Sequence, residues 1–180
     1  MITTWPQFYT LLLAREGRVV HHDPLDPGGM TAWGISRRYN PKWEGWKLVD
    51  AGITSGPEFE ALVHDFYWKW LKPFWEGMGP RLREAFCDAM VNMGPGRKGD
   101  KIMGAVELLQ HAVNRLAGTN FVDVDARYGP QTRAALRSVD SSALAYTLCA
   151  LRCAEYAKRD GANFYLAGWI KRVGLLMEAI

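Results

Sequence analysis

The residues whose types and spacing could support chemistry lie near the N-terminus, around a segment rich in glycine and proline. Glu16 precedes this segment, Asp23 and Asp26 lie within it, and Thr31 follows it. Cleavage of a glycosidic bond needs a carboxylic acid that protonates the leaving oxygen, and a second polar group that stabilises the transition state or directs water. The stretch from Glu16 to Thr31 is therefore the candidate site for general acid catalysis.

The expected environment of Glu16 follows from the helix that carries it. This helix is predicted to begin after Thr4, which with Gln7 forms a reciprocal capping pair, and to end at Gly17. Its predicted apolar positions are Phe8, Leu11 and Leu12. Glu16 continues that apolar face, where desolvation and the negative end of the helix dipole both favour the protonated form of a carboxyl group. We therefore expect Glu16 to be the acid.

The rest of the periodicity predicts a mainly α fold with a small β-hairpin beside the candidate site. The hairpin would pair Val19 and Val20 with residues 31–35. Apolar residues at helical spacing predict helices over about 57–72, 82–93, 102–117, 130–138, 144–161 and 164–177. Pro73 is expected to end the first of these helices. The second and third are expected to form the central pair of the core.

Composition narrows the class of protein without identifying a partner. The chain has 180 residues and a formal net charge of +3, which suits cell wall, membrane or nucleic acid equally. Its three cysteines form no CxxC pair, so neither a disulfide framework nor a zinc site is indicated. The N-terminus shows no secretory signal, and the apolar runs are too short for stable membrane insertion.

Several motifs carry a resemblance to a known family. Glu16-Gly17, the segment Asp23-Pro24-Leu25-Asp26-Pro27-Gly28-Gly29, Thr31 and Trp33-Gly34-Ile35-Ser36 resemble the signature of glycoside hydrolase family 108. That family comprises N-acetylmuramidases, many of them phage endolysins. The likeness continues in Phe66-Tyr67-Trp68, in residues 86–96, in Leu109-Gln110, in Tyr128-Gly129-Pro130-Gln131-Thr132 and in Gly168-Trp169. It implies a lysozyme-like helical fold.

The resemblance also implies roles for individual residues. Glu16 matches the family's proposed catalytic acid, and Asp26 and Thr31 are similar to the residues that hold or activate the attacking water in phage-type lysozymes. An inverting, a retaining and a lytic transglycosylase outcome all stay open. The residues expected as weaker substrate contacts are Asp23, Trp33, Asn92, Tyr128 and Gln131. The chain departs from the family pattern at Arg18 and at His21-His22.

The implied substrate is the β-1,4 bond between N-acetylmuramic acid and N-acetylglucosamine in peptidoglycan glycan strands. Residues 1–85 would form the catalytic lobe and 86–180 a peptidoglycan-binding-like helical lobe, packed as one globular body. We expect a monomer that needs no cofactor or metal and binds no nucleic acid. It would be made in the host cytoplasm without a signal peptide and reach the wall in the periplasm after release through a holin.

Other interpretations stay open on the sequence alone. A glutamate before a glycine is commonly only a helix terminus, and Asp23 and Asp26 are also ordinary turn formers. A calcium loop lacks further acidic ligands at the required spacing, and adjacent His21 and His22 on an extended segment point to opposite sides. At the level of function, the alternatives are a wall-binding or phage structural module without turnover, and a helical nucleic-acid-binding protein.

Overall fold

The computed structural model describes residues 4–22 and 29–179, so the predicted site residues Asp23 and Asp26 lie outside it. The chain divides into two compact units, Thr4–Lys72 and Pro73–Ile180. Helices dominate both, and the first also carries a small antiparallel sheet. The predicted mainly α fold is confirmed. Within the described ranges no helix combines the length and the apolar character needed to cross a membrane.

In the N-terminal unit, the three strands follow the first helix in the sequence and precede the other helices. The unit contains α1 (Trp5–Glu16), α2 (Gly45–Asp50) and the part of α3 (Pro57–Gly77) that precedes Pro73. Its strands are β1 (Val20–His22), β2 (Met30–Ala32) and β3 (Ile35–Ser36). The strands pair in the order β1-β2-β3, so the expected hairpin is part of a three-stranded sheet. The prediction that Pro73 ends α3 was wrong. Leu71 and Trp75, buried on either side of Pro73, favour continuation of the helix despite the lost hydrogen bond.

Helix α1 begins and ends as its sequence predicts. The Thr4 amide donates to the Gln7 side chain at 3.2 Å, and Gly17 ends the helix with a φ of 82°. The buried face differs from expectation at two positions, because Leu11 is exposed and Leu13 is buried. Leu12 and Leu13 precede Glu16 by four and three residues, so Glu16 lies on the buried face, and as the last residue of the helix it is half-buried.

The second unit is a helical assembly built around one central helix. Its helices are α4 (Pro80–Met93), α5 (Ala105–Ala117), α6 (Pro130–Ala135), α7 (Ser141–Tyr156) and α8 (Ala162–Ala179), with a 3₁₀ turn at Leu136–Ser138. Helix α7 packs against α4, α5 and α8. The expectation that α4 and α5 form the central pair was therefore wrong. Small and aliphatic residues on α7, among them Ala145 and Leu148, let several helices approach it closely.

An irregular segment between α5 and α6 is fixed by two amide side chains of α5. Asn114 accepts from the Val122 amide at 2.8 Å and donates to the Val122 carbonyl at 2.7 Å. Gln110 accepts from the amides of Asp125 and Ala126 and donates to the Asp125 carboxylate at 2.8 Å. Ala126 has a φ of 61°, a strained value for a residue with a side chain. These hydrogen bonds satisfy backbone groups that no strand pairs.

Buried charges connect three helices of the second unit. The Asp88 carboxylate of α4 is fully buried and accepts from Arg152 of α7 at 2.7 Å and from Arg172 of α8 at 2.9 Å. The Tyr156 hydroxyl accepts from Arg152 and donates to Asn92, which extends the network along α4 and α7. A buried carboxylate is tolerated only with such partners, so Asp88 fixes the relative positions of these helices.

Asp88→Asn should destabilise the protein by about 3 kcal/mol or more, because two arginines would lose the charge that compensates them in the interior. Urea unfolding followed by circular dichroism measures the effect. Asp50→Asn is the matched control, since Asp50 pairs with Arg37 at an exposed position and its loss should change the midpoint far less. Equal midpoints for the two variants would contradict the structural role of Asp88.

Candidate active site

Glu16 is the last residue of α1 and lies directly against the turn that joins β2 to β3. That turn contains Gly34, whose φ is 82°. A Cβ atom added at Gly34 would lie 2.9 Å from the Glu16 Cβ and 3.0 Å from its Cγ. Real Cβ atoms do not approach carbon this closely. The absence of a side chain at Gly34 therefore makes room for the stem of Glu16.

Tyr67 of α3 also packs against Gly34, in addition to Glu16. Its hydroxyl donates to the Trp33 carbonyl at 2.8 Å in a buried environment. The Cβ position of Gly34 would lie only 2.5 Å from the Tyr67 hydroxyl oxygen. The end of α1, the β2–β3 turn and α3 thus meet around Glu16. Such a fixed surrounding limits the positions that the carboxyl group can take, as general acid catalysis requires.

Trp33 supports this arrangement from the core. Its side chain is 3% exposed, and its ring packs edge-on against Phe59 at 5.6 Å between ring centroids. The Arg18 guanidinium lies 5.5 Å from the ring centroid, within the range of a cation–π contact. These contacts give Trp33 a structural role, and its expected contact with the substrate stays a prediction. Its positive φ of 48° marks backbone strain at the turn beside Glu16.

Tyr9 is a residue that the sequence did not single out. It precedes Glu16 by seven residues, two helical turns, and therefore lies on the same side of α1. Its hydroxyl is buried without a hydrogen-bond partner in the described part of the chain. Burial raises the Tyr9 pKa to about 12, with the nearby Arg18 opposing this effect and Glu60 adding to it. An unsatisfied hydroxyl of this kind is uncommon in a native structure and calls for a functional or structural reason.

Thr31 occupies the centre of β2, the middle strand, and is half-buried. It lies three residues before Gly34, the residue that contacts Glu16. The structure thus places Glu16 and the strand of Thr31 in one region. Asp23 and Asp26 lie outside the described residues, so their predicted roles stay predictions. In the described ranges, no group of three or more His, Cys, Asp or Glu side chains is arranged to hold a metal ion.

The remaining expected substrate contacts belong to the second unit and differ in environment. Asn92 is engaged by the Tyr156 hydroxyl, and the Tyr128 ring packs against Phe74 and Phe86. These contacts give Asn92 and Tyr128 structural roles. Gln131 is exposed and lines a surface cavity of about 350 Å³. Of the three, Gln131 alone combines exposure with a cavity in this part of the structure.

Two comparisons with known proteins give matches, one to a family and one to a solved structure. Residues 9–94 match the family described as Glycosyl hydrolase 108, a range that includes Glu16, Thr31, Gly34 and Tyr67. The fold is similar to that of SagA from Brucella abortus, with a TM-score of 0.71 and 25% sequence identity over 98% of this chain and 94% of that chain. No curated protein gives a significant match.

The match over residues 9–94 and the similarity of fold support assignment of the chain to glycosyl hydrolase family 108. The resemblance found in the sequence motifs is thereby confirmed. The family match implies a glycoside hydrolase.

Gly34→Ala should destabilise the protein by more than the roughly 1–2 kcal/mol that positive φ alone costs a residue with a Cβ, because its methyl group would also collide with Glu16 and Tyr67. Gly52→Ala is the matched control. Gly52 has nearly the same φ, 80°, but among the described residues no atom other than those of its chain neighbours lies within 4 Å of its Cβ position. Thermal unfolding of both variants measures the difference. A Gly34 variant no less stable than the Gly52 variant would refute the tight contact.

Tyr9→Phe and Tyr67→Phe each remove one hydroxyl but should have different effects on stability. Tyr67→Phe leaves the buried Trp33 carbonyl without its donor and should cost about 1–3 kcal/mol. Tyr9→Phe removes an unpartnered hydroxyl and should leave the stability unchanged or raise it. Urea unfolding at neutral pH distinguishes the two.

The raised pKa of Tyr9 adds a pH dependence to that comparison. Because the folded protein disfavours the Tyr9 phenolate, the unfolding free energy of the wild type should fall as the pH rises from about 10 towards 12. Tyr9→Phe should show a weaker fall over the same interval, measured by urea unfolding at a series of pH values. Identical profiles for the two proteins would contradict the burial of this hydroxyl.

Proposed function

We propose that the protein is an N-acetylmuramidase that hydrolyses the β-1,4 bond between N-acetylmuramic acid and N-acetylglucosamine in peptidoglycan, with Glu16 as its general acid. The main support for this proposal is the close packing of the Glu16 side chain against Gly34, beside the hydroxyl of Tyr67. These residues lie inside the region that matches the family. A half-buried carboxyl group at the end of a helix, on the buried face of that helix, is suited to donate a proton to a leaving oxygen.

In this mechanism Glu16 protonates the glycosidic oxygen as the bond to the anomeric carbon breaks. Water attacks the anomeric carbon from the opposite face while Thr31 and Asp26 hold it. The Asp26 carboxylate takes the proton of this water, and the anomeric configuration is inverted. The contacts of Gly34 and Tyr67 keep the acid in place before the substrate arrives. They reduce the reorganisation needed when the transition state forms.

The biological setting is part of the same proposal. Activity on glycan strands would make the chain an endolysin, acting on the cell wall from the periplasm after synthesis in the host cytoplasm and release through a holin. The net charge of +3 favours approach to an anionic wall. Residues 86–180 would add contacts to peptidoglycan, with the exposed Gln131 as one contributor.

The first experiment compares the wild type with Glu16→Gln on purified peptidoglycan free of outer membrane, with mass analysis of the released fragments. Glutamine preserves the shape of the side chain but has no proton to donate as an acid. Activity should fall by about 100-fold or more. The matched control is Glu58→Gln, since Glu58 is an exposed residue in the first turn of α3.

The released fragments decide between the alternatives. Products with reducing-end muramic acid from the wild type, and their loss in Glu16→Gln, are the expected result. Anhydro-muramic acid products would replace hydrolysis with a lytic transglycosylase reaction. A folded wild type that binds peptidoglycan but releases nothing would refute the enzyme and leave a wall-binding module.

A further inference from the structure

The register of the small sheet places three polar side chains in one row. His21 of β1 is directly opposite Thr31 of β2, and Thr31 is directly opposite Ser36 of β3. Side chains directly opposite one another on neighbouring strands point to the same face, with their Cβ atoms about 4.5–5.5 Å apart. One face of the sheet therefore presents an imidazole and two hydroxyl groups side by side.

The other face of the sheet has a different character. Because successive residues of a strand point to opposite faces, the residues next to the polar row belong to this second face. They are Val20, Ala32 and Ile35, and the last two are buried in the core. The polar row is thus on the face directed away from the core, where His21 is exposed and Thr31 is half-buried.

Two features connect one end of this sheet to Glu16. Strand β1 begins four residues after Glu16, and the turn after β2 contains Gly34, which contacts the Glu16 stem. His21 is five residues from Glu16, a span of at most about 18 Å for extended chain. The turn at Gly17 shortens the path between them. His21 therefore belongs to the same region as the proposed acid and Thr31.

We propose that His21 and Thr31 together bind one hydroxyl group at the reaction centre, either that of the attacking water or that of a sugar beside the scissile bond. This inference rests on the proposed muramidase function. An imidazole nitrogen accepts a hydrogen bond from the O–H, while the threonine hydroxyl donates to or accepts from the same oxygen. Side chains separated by one strand spacing can both reach a single oxygen at hydrogen-bond distance. The structure thus gives His21 a role that its sequence, as one of two adjacent histidines in an extended segment, did not indicate.

The strand supplies its own control for this proposal. His22 is the next residue of β1, is exposed like His21, and lies opposite Met30 on the other face of the sheet. His21→Ala and His22→Ala therefore remove the same chemical group from the same strand, on opposite faces. Thr31→Val removes the partner hydroxyl while keeping the branched shape. The His21→Ala/Thr31→Val double variant completes a cycle that measures the coupling between the two side chains.

The assay measures kcat and KM on soluble, peptide-bearing glycan fragments of purified peptidoglycan, with thermal unfolding of every variant alongside. His21→Ala should lower kcat/KM about 10-fold or more, at an unchanged unfolding midpoint, while His22→Ala stays close to the wild type. His21→Asn, which keeps a hydrogen-bonding group, should retain more activity than His21→Ala. The double variant should lose less than the product of the two single losses, because one bound hydroxyl is lost in each case.

The kinetic constants identify the source of the hydroxyl. A loss confined to kcat assigns it to the attacking water, and a loss confined to KM assigns it to a sugar of the substrate. Equal activity of the His21 and His22 variants, or fully independent effects of His21→Ala and Thr31→Val, would overturn the pairing while leaving the muramidase proposal intact. A wild type that releases no fragments would overturn both.

Discussion

The close approach of a backbone turn to an acidic side chain is the constraint on which the N-terminal unit depends. Glu16 can end α1 where it does because Gly34 has no side chain. Tyr67 holds the preceding carbonyl from α3, so the turn cannot move away from the glutamate without losing a buried hydrogen bond. The positions of the end of α1, the β2–β3 turn and α3 therefore depend on one another. A change in any of them would shift the carboxyl group of Glu16.

The second unit follows a different principle, in which charge specifies the packing of helices. Apolar residues of α7 bring α4, α5 and α8 together, but apolar contacts alone permit several alignments of one helix against another. The carboxylate of Asp88 accepts from arginines on two different helices, and an alignment that separated them would leave a charge buried and unpaired. The charged network thus selects one arrangement among those that the core could accept.

Apolar spacing, capping residues and glycines predicted most of the helices, because these signals are local in the sequence. The beginning of α1 after Thr4 and its end at Gly17 are examples. Prediction failed where distant contacts decide the outcome. Burial on both sides of Pro73 carries α3 through a residue that usually ends a helix.

The candidate site shows the same division between local and distant signals. Glu16 and Thr31 were identified from a motif. Tyr67 belongs to a motif noted in the sequence, but only the fold brings its hydroxyl to Gly34 beside Glu16. The same holds for His21, whose alignment with Thr31 depends on strand register, which cannot be derived from residue types alone.

The segment between α5 and α6 shows how such a fold can vary during evolution. Gln110 and Asn114 bind mainly backbone amides and carbonyls there, so they recognise the path of the chain more than its side chains. Exposed positions of the segment such as Asp123 can therefore diverge in sequence without changing its shape. Its length cannot, because an insertion would carry the bound amides out of reach. Related proteins should accordingly tolerate substitution in this segment much better than insertion, and the two amide side chains on α5 should be among its slowest-changing neighbours.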